Sequence, residues 1–164
     1  MQMIVVLPYA VPGVIIALAM ILAFSKPIVG SKLYNTIWIL LIAYIARFMN
    51  LGYNNISGAI SQVDASLEEA ARISGASQLK AFIDVMLPLL KNSLISSFFL
   101  VVAPTLSELS LSGLLYSVNN ETIGTVVFAA KEEGRILLTA SIAIVLIILV
   151  VVINLAVNSQ TDKD

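Results

Sequence analysis

One polar stretch organises this sequence: Leu67-Glu68-Glu69-Ala70-Ala71-Arg72-Ile73-Ser74-Gly75-Ala76, which runs on to Val85-Met86-Leu87-Pro88. Hydrophobic runs too long for the core of a soluble domain enclose it on both sides. Ionised side chains are costly inside hydrocarbon. We therefore expect this segment at a membrane surface, held there by the hydrophobic runs.

The spacing of the first residues in this stretch predicts a short helix. Ser66 and Glu69 have the S-x-x-E spacing of a capping box, in which each side chain bonds to the backbone N–H of the other residue. The helix is therefore expected to begin near Leu67. Glu68 and Arg72 stand four residues apart, in the order that favours an ion pair on a helix.

A glycine turn and a second helix are predicted to follow. Gly75 can adopt the left-handed conformation that ends a helix, and Ser77 is placed to cap the next one. Pro88 then ends the second helix or opens another, because it has no N–H to donate. The apolar stripe of the second helix, expected to tie this loop to the membrane helices, consists of Leu79, Phe82, Ile83 and Met86.

Composition indicates an integral membrane protein. The chain has 164 residues, of which 59% are hydrophobic and only 12% are charged, whereas about a quarter of residues are charged in soluble domains. Its net charge of −1 argues against a nucleic-acid partner. The sequence has no Cys and no His, which removes thiol chemistry and the commonest transition-metal ligands. We therefore expect no catalytic residue, no metal site and no cofactor bound by this chain.

About four transmembrane helices are predicted, near residues 3–24, 33–49, 89–107 and 136–157. These runs approach or exceed the length that crosses a hydrocarbon core of about 30 Å at 1.5 Å rise per residue. Short polar connections are expected at residues 25–32, and a polar tail follows from residue 158.

The first hydrophobic run contains two prolines, Pro8 and Pro12. Because proline breaks backbone hydrogen bonding, a neighbouring element must satisfy the carbonyl groups that are freed inside a membrane. A simple kink in an N-terminal half-turn is the alternative. A signal peptide is a further alternative for this run, supported by Ala17-Leu18-Ala19 but opposed by the lack of a preceding basic residue.

Two ionisable residues lie at the predicted ends of spans. Arg47 either belongs to gating or coupling machinery or is a cation at a helix C-terminus, where the dipole and the headgroups favour it. Glu108 either faces a translocation path or braces helices, or simply marks the interface. Ser110 and its neighbouring serines can hydrogen-bond between helices.

Residues 111–134 are predicted to be an external or re-entrant segment, because polar residues dilute its hydrophobic ones. A short helix is expected over about 122–130. The mixed-sign cluster from Lys131 to Arg135 is interpreted as a solvated loop.

No GxxxxGK[ST], HExxH or GxSxG motif occurs, so the chain has no recognisable means to hydrolyse ATP or a peptide. It is therefore predicted not to be an enzyme. Its polar loop must act through a partner.

The polar loop resembles the EAA loop of ABC-importer permeases. The matching residues are Glu69-Ala70-Ala71, Gly75 and Val85-x-Leu87-Pro88, with Val85 where the pattern usually has Ile. Two further segments resemble the iron(III)-type branch, whose relatives include thiamine and polyamine permeases: Leu7-Pro8-Tyr9-Ala10-Val11-Pro12-Gly13 and Glu108-Leu109-Ser110-x-Ser112-x-Leu114-Leu115.

The resemblance implies one all-α, polytopic domain over residues 1–164, a partial type I ABC importer permease fold with a cytoplasmic coupling loop at residues 64–88. It implies that this loop docks into a cleft of a separate ATP-binding subunit, which binds the ATP and whose closure tilts the spans. The coupling residues implied are Glu68, Glu69, Ala70, Ala71, Arg72, Gly75, Leu87 and Pro88.

Further partners implied are a periplasmic or extracellular solute-binding protein and a second permease subunit or half. The resemblance places the chain in the inner (plasma) membrane with the loop and both termini in the cytoplasm, although charge bias alone does not orient it. Pro12, Glu108 and Ser110 are the candidates for the translocation path.

Several alternatives stay open at this point. Glu69 either caps the helix with Ser66 or pairs with a basic residue of the ATPase. Iron(III) is the expected solute, with thiamine, polyamine or another small solute as alternatives. Because such permeases usually begin with additional transmembrane helices, an N-terminally truncated copy is expected. A helical membrane scaffold that transports nothing is a second class of function, whereas a channel is disfavoured by the lack of charged rings.

Overall fold

A computed structural model describes residues 2–25, 33–118 and 120–161. The regular structure in these ranges is helical, which confirms the predicted all-α class. Residues 26–32 of the predicted loop and residues 162–164 of the predicted tail lie outside the described residues. The helices are α1 (Gln2–Ala10), α2 (Gly13–Phe24), α3 (Ile37–Gln62), α4 (Ala65–Ile73), α5 (Gln78–Ala81), α6 (Leu87–Leu89), α7 (Lys91–Leu106), α8 (Ser112–Leu115), α9 (Ile123–Glu132) and α10 (Ile136–Thr161), with a π-helical turn (Phe82–Met86) between α5 and α6.

The first hydrophobic run is a broken helix and not a single span over residues 3–24. Pro12 precedes α2 with φ −54° and ψ 137°, an extended conformation outside the helical region. Proline also disfavours the helical conformation in the residue before it, which here is Val11. Pro8, by contrast, lies inside α1 without ending it. The break therefore falls at Val11 and Pro12.

Helix α3 continues beyond residue 49, where the predicted span ended, because its polar residues find partners. Asn55 Nδ2 donates to Ser97 Oγ at 2.9 Å and to the Ser93 carbonyl at 3.1 Å, both on α7. Gly52 allows α7 to approach, since a Cβ there would lie 3.3 Å from Val101 Cγ2. Residues that would favour a loop in isolation thus form the interface between α3 and α7.

The chain bends by 68° between Gln78–Leu89 and Lys91–Leu106. Within the first of these segments, the Leu87 N–H bonds to the Phe82 carbonyl, five residues back, as in a π-helix. Pro88 lies just after this turn, inside α6. The third predicted span thus begins at Lys91 after a bend and runs through Pro104 without interruption.

By length and composition, the described residues include two helices able to cross a membrane, Ile37–Gln62 and Ile136–Leu155. The bent pair is a third span if its two helices are counted together. Of the four predicted spans, the first is thus divided at Pro12 and the third is preceded by a bend, and α2 with its 12 residues and α7 with its 16 are each shorter than a typical transmembrane helix. Only 6% of the most hydrophobic stretch of α10, within Ile136–Leu155, is buried inside the protein, as expected of a helix that faces lipid.

The buried core lies where α2, α3 and the α8 region meet. Two alanines, Ala17 on α2 and Ala43 on α3, are fully buried and allow the helices to pack closely. The core residues are Ala17, Ile39, Leu40, Ala43, Leu111 and Leu115.

We expect Asn55→Ala to destabilise the protein by about 1–2 kcal/mol, because it removes the side-chain hydrogen bonds from α3 to α7. Thermal unfolding in detergent measures the change. The control is Asn54→Ala, since the Asn54 side chain is exposed and donates to Asn50 within α3. Equal losses of stability in the two variants would contradict the assignment of Asn55 to the helix interface.

Candidate functional site

The N-terminus of α4 is capped by Asp64. Its Oδ1 accepts a hydrogen bond from the Ser66 N–H at 2.9 Å, and its own backbone is extended. Helix α4 therefore begins at Ala65, and the predicted capping box between Ser66 and Glu69 is wrong. Ser66 already lies within the helix, so it cannot occupy the extended cap position that a capping box requires.

Gly75 ends α4 as predicted. Its φ of +93° is left-handed, and the bonds around it form a Schellman motif: the Gly75 N–H donates to the Arg72 carbonyl at 3.0 Å, and the Ala76 N–H donates to the Ala71 carbonyl at 3.1 Å. A Cβ on Gly75 would meet nothing within 4 Å. The glycine is therefore required by backbone conformation and not by a lack of space.

The second helix of the loop begins at its predicted cap, because Ser77 Oγ accepts a hydrogen bond from the Lys80 N–H at 3.3 Å. The predicted apolar stripe, however, does not tie the loop to the membrane helices: Leu79 and Phe82 are 69% and 46% exposed. Ala81 is the fully buried residue instead. The π-helical turn over Phe82–Met86 changes the angular spacing of the side chains, which the prediction took as 3.6 residues per turn.

Together, α4, the Gly75 turn and α5 form an exposed elbow, which we call the coupling elbow. No residue of α4 is buried, and Ile73 is 88% exposed. In the part of the chain that the structure describes, Glu68 and Arg72 do not form the ion pair expected of them. Glu69 is likewise an exposed carboxylate without a capping role. Ala70 is exposed and Ala71 is half-buried.

The predicted coupling residues thus fall into two groups. Those from Glu68 to Gly75 belong to the coupling elbow, whereas Leu87 and Pro88 lie in α6, at the bend towards α7.

The coupling elbow lies at one end of the molecule. It follows the C-terminus of α3, whereas Ser117 Oγ donates to the Asn35 carbonyl at 3.0 Å near the N-terminus of the same helix. The 26 residues of α3 separate these two ends by about 39 Å.

A second polar site surrounds the break between α1 and α2. Arg47 on α3 donates from Nη1 to the Val11 carbonyl at 2.7 Å, and its Cζ lies 5.7 Å from the centre of the Phe48 ring. This bond gives a donor to a backbone carbonyl that the break leaves without a helical partner. The two prolines of the first run predicted that a neighbouring element would do this. The explanation of Arg47 as a cation at a helix C-terminus is wrong, because α3 continues to Gln62.

Glu108 holds the turn between α7 and α8. Its Oε1 accepts a hydrogen bond from the Leu111 N–H at 2.9 Å, and its carbonyl accepts one from Ser112 Oγ at 2.6 Å. The carboxylate is half-buried within protein, so it does more than mark the membrane interface.

The side chains of Arg47, Glu108 and Ser110 converge on Gly13. A Cβ on Gly13 would lie 2.9 Å from Ser110 Cβ, 3.0 Å from Glu108 Oε1 and 3.3 Å from Arg47 Nη1. We call this group the break cluster: Val11, Gly13, Arg47, Glu108 and Ser110. Sequence reasoning had named Pro12, Glu108 and Ser110 as a set but had missed Gly13, whose signal was its position directly after the helix-breaking proline.

Two polar atoms near the break are buried without a hydrogen-bond partner among the described residues, Arg47 Nε and the Tyr44 hydroxyl. The hydroxyl faces the side chains of Ser112, Thr122 and Glu108.

An open cavity of about 520 Å³ lies beside the break cluster, with Ser110 in its wall. Glu121 and the ion pair between Glu133 and Arg135, 3.0 Å apart, add polar groups to an otherwise largely apolar lining. Its size is that of a small-molecule site. Within the described ranges, no three acidic side chains come together as metal ligands would.

Comparison with known proteins finds relatives that are named as permease proteins of transport systems. A family model described as "Binding-protein-dependent transport system inner membrane component" matches residues 1–162. The chain is 28% identical over 147 residues to a putative 2-aminoethylphosphonate transport system permease protein of Salmonella paratyphi A, covering 90% of this chain and 55% of that protein. It is 23% identical over 145 residues to an Fe(3+)-transport system permease protein of Haemophilus influenzae, covering 87% and 28% respectively.

A solved structure has the same fold. It is a bacterial alginate ABC transporter in complex with a periplasmic protein that binds an alginate pentasaccharide, and it matches with a TM-score of 0.74 at 20% identity over 99% of this chain and 64% of that one. The chain spans about half the length of the first curated relatives it matches. These matches agree with the resemblance drawn from the EAA-like spacing, but they do not single out iron(III), since the relatives are named for different solutes.

We expect Gly13→Ala to destabilise the protein by about 1–3 kcal/mol, because the new methyl group meets Ser110 Cβ and Glu108 Oε1 at or below 3.0 Å. Thermal unfolding measures the effect. In the control, Gly58→Ala, a Cβ meets nothing within 4 Å, so this helical position should gain about 0.5–1 kcal/mol. A neutral Gly13→Ala would mean that the break cluster is not tightly packed.

Acid should loosen the first turn of α4. Hydrogen bonds from the Ser66 backbone and side chain lower the pKa of the Asp64 carboxyl below its usual 3.8. A carboxyl whose pKa is lower in the folded state stabilises that state above the unfolded pKa, and this stabilisation is lost as the pH falls through the folded pKa. Hydrogen exchange of the first α4 amides should therefore accelerate, relative to a short unstructured peptide, as the pH falls below 3.8. Asp64→Asn keeps the accepting oxygen without the titration, so the same acid response in that variant would refute the assignment.

Proposed function

The chain belongs to the family of binding-protein-dependent transport system inner membrane components, and from this premise we propose that it couples ATP hydrolysis on a separate subunit to solute uptake. The ATP-binding subunit would contact the coupling elbow. Neither ATP nor another cofactor is assigned to this chain, whose part in the cycle is mechanical.

The exposure of the coupling elbow is the observation that carries this proposal. Ile73 is an apolar side chain that is 88% exposed, beside the exposed charges of Glu69 and Arg72. Glu69, Arg72 and Ile73 share a shallow groove with the start of the second helix. An apolar residue ringed by charges is typical of a protein-binding surface. Because Glu69 does not cap α4, its carboxylate is available to pair with a basic residue of the ATPase.

The hydrogen bonds of the coupling elbow suit it to transmit force. Asp64 caps α4 and Ser77 caps α5, and the Schellman motif at Gly75 fixes the angle between them. From α5 the chain passes through the π-helical turn into the bend before α7, and α7 packs along α3. A displacement of the elbow is therefore expected to move α7 and α3 with it.

For the translocation path, we propose the break cluster together with the adjoining cavity. Pro12 and Gly13 interrupt the first hydrophobic run there, and irregular backbone at membrane depth is tolerated where it is buried in protein or lines a cavity. Glu108 and Ser110 contribute polar groups to the same place.

The proposed solute is a small molecule or ion that a binding protein delivers. Iron(III) is supported by the segments Leu7 to Gly13 and Glu108 to Leu115 and by the Haemophilus relative. The Salmonella relative, at higher identity, supports 2-aminoethylphosphonate equally well. ATP-driven uptake of each labelled solute, measured with and without an excess of the other, would show which one is transported.

The proposed partners are an ATP-binding subunit, an external solute-binding protein and a second permease subunit or half. The structural relative was solved with a periplasmic protein, which supports the second of these. With the ATPase inside the cell, the coupling elbow would face the cytoplasm of a plasma-membrane protein.

We expect Ile73→Ser to weaken binding of the ATP-binding subunit by roughly tenfold or more, because it removes the central apolar contact of the coupling elbow. Affinity in detergent and ATP-driven uptake in vesicles should fall together. The matched control is Val118→Ser, since Val118 is 86% exposed but lies at the opposite end of α3, next to Ser117.

If Ile73→Ser leaves both affinity and uptake intact, or if Val118→Ser weakens binding as much, the coupling elbow does not dock on the ATPase. The scaffold alternative then becomes the better explanation.

A further inference from the structure

The cavity beside the break cluster carries an unbalanced charge. The charged residues of its lining are Glu121, Glu133 and Arg135, two carboxylates against one guanidinium. Arg135 Nε pairs with Glu133 Oε2 at 3.0 Å, so these two charges offset each other. Glu121 forms no ion pair with any residue that the structure describes. The lining is therefore negative overall, and one of its carboxylates is open to a ligand.

The remainder of the lining is largely apolar, and part of it is aromatic. The rings of Tyr116 and Phe128 both border the cavity and are 48% and 47% exposed. The face of an aromatic ring attracts a cation, and aliphatic side chains favour contact with hydrocarbon. The aliphatic side chains of the lining include Leu109, Leu114 and Val126. Such surroundings suit a ligand that combines a positive group with a hydrocarbon body.

Two other classes of ligand fit this lining less well. An anion such as a phosphonate would have to take Arg135 from Glu133 and would be repelled by the unpaired Glu121. A hard metal ion requires several oxygen ligands, but no three acidic side chains converge within the described parts of the chain. An ammonium group, by contrast, is a compact charge with N–H donors that a single carboxylate can accept.

The cavity extends towards the end of the molecule that lies away from the coupling elbow. Tyr116 in its lining directly precedes Ser117, whose Oγ donates to the Asn35 carbonyl near the N-terminus of α3. The coupling elbow follows the other end of α3. With the elbow in the cytoplasm, as proposed above, the cavity lies on the side from which a binding protein would deliver the solute.

We propose that this cavity binds the solute and selects a small organic cation. Its ammonium group pairs with the Glu121 carboxylate, and its hydrocarbon body packs against Phe128 and the aliphatic wall. The identification of this ligand with the transported solute rests on the proposed function. Binding itself requires no ATP-binding subunit, so it can be measured separately from transport.

Three probes with the same four-carbon body test the charge selectivity: 4-amino-1-butanol is a cation, 1,4-butanediol is neutral and 4-hydroxybutyrate is an anion. Saturation-transfer NMR on the full chain in phosphatidylcholine nanodiscs measures their affinities, and empty nanodiscs correct for binding to lipid. We expect the cation to bind about fivefold more tightly than the diol, as one partly exposed ion pair allows. The anion should bind more weakly than the diol.

Removal of one charge tests the role of Glu121. Glu121→Gln keeps the size of the side chain but removes its charge, so the affinity for 4-amino-1-butanol should fall about fivefold, to that of the diol. The matched control is Glu132→Gln, which makes the same change in charge at an exposed position of α9 outside the lining. It should leave all three affinities unchanged.

A second variant tests the location independently of charge. Gly113 lines the cavity, and a Cβ there would meet nothing within 4 Å. Gly113→Leu therefore fills part of the cavity without displacing the protein around it, and it should weaken binding of 4-amino-1-butanol about tenfold. The control is Gly58→Leu, at a position of α3 that is equally open but lies outside the lining.

The proposal is overturned if the diol or the anion binds as tightly as the cation. It is also overturned if Glu121→Gln or Gly113→Leu leaves the affinity for the cation unchanged, or if either control weakens it equally. If the cation binds as expected but ATP-driven uptake is absent when the ATP-binding subunit is present, the proposed function fails and the binding site stands. ATP-driven uptake that selects the anion would refute the selectivity and leave the proposed function standing.

Discussion

A backbone carbonyl freed inside a membrane must find a donor within the protein, because lipid offers none. Pro12 creates this demand by interrupting the first hydrophobic run, and Arg47 meets it through the Val11 carbonyl at 2.7 Å. The same bond brings a cation into a half-buried site, where Glu108 supplies the nearby opposite charge. This bond ties the break between α1 and α2 to α3, and it places polar groups in the interior beside the hydrophobic core that packs α2 against α3.

The other end of the molecule obeys a different constraint. The coupling elbow is held by caps and turns instead of by burial: Asp64 and Ser77 cap its two helices, and Gly75 turns between them. Because these hydrogen bonds are local, the elbow keeps its shape while exposing Ile73 almost completely. A surface that is preformed in this way loses little conformational entropy when it binds a partner, which suits the coupling role proposed for it.

The two sites differed in how far sequence could predict them. Gly75 and Ser77 were predicted correctly because a positive φ and an N-cap are properties of one residue and its nearest neighbours. The cap of α4 was assigned to Ser66 instead of Asp64, since both residues are good caps and only the start of the helix decides between them. The apolar stripe of the second helix was misjudged because a π-helical turn changes the spacing of its side chains.

By itself, the sequence determined the class of this protein: a helical membrane chain with one charged elbow and an EAA-like pattern, since composition and short-range spacing are sufficient for each of these. Only the tertiary structure decided the continuation of α3 to Gln62, where Asn55 finds its acceptors on α7. It alone also brought Gly13, Arg47 and Glu108 together from three separate parts of the chain. The physical reason is that a buried polar group is stabilised by whichever partner the packing of the helices places beside it, and residue spacing along one helix does not encode that partner.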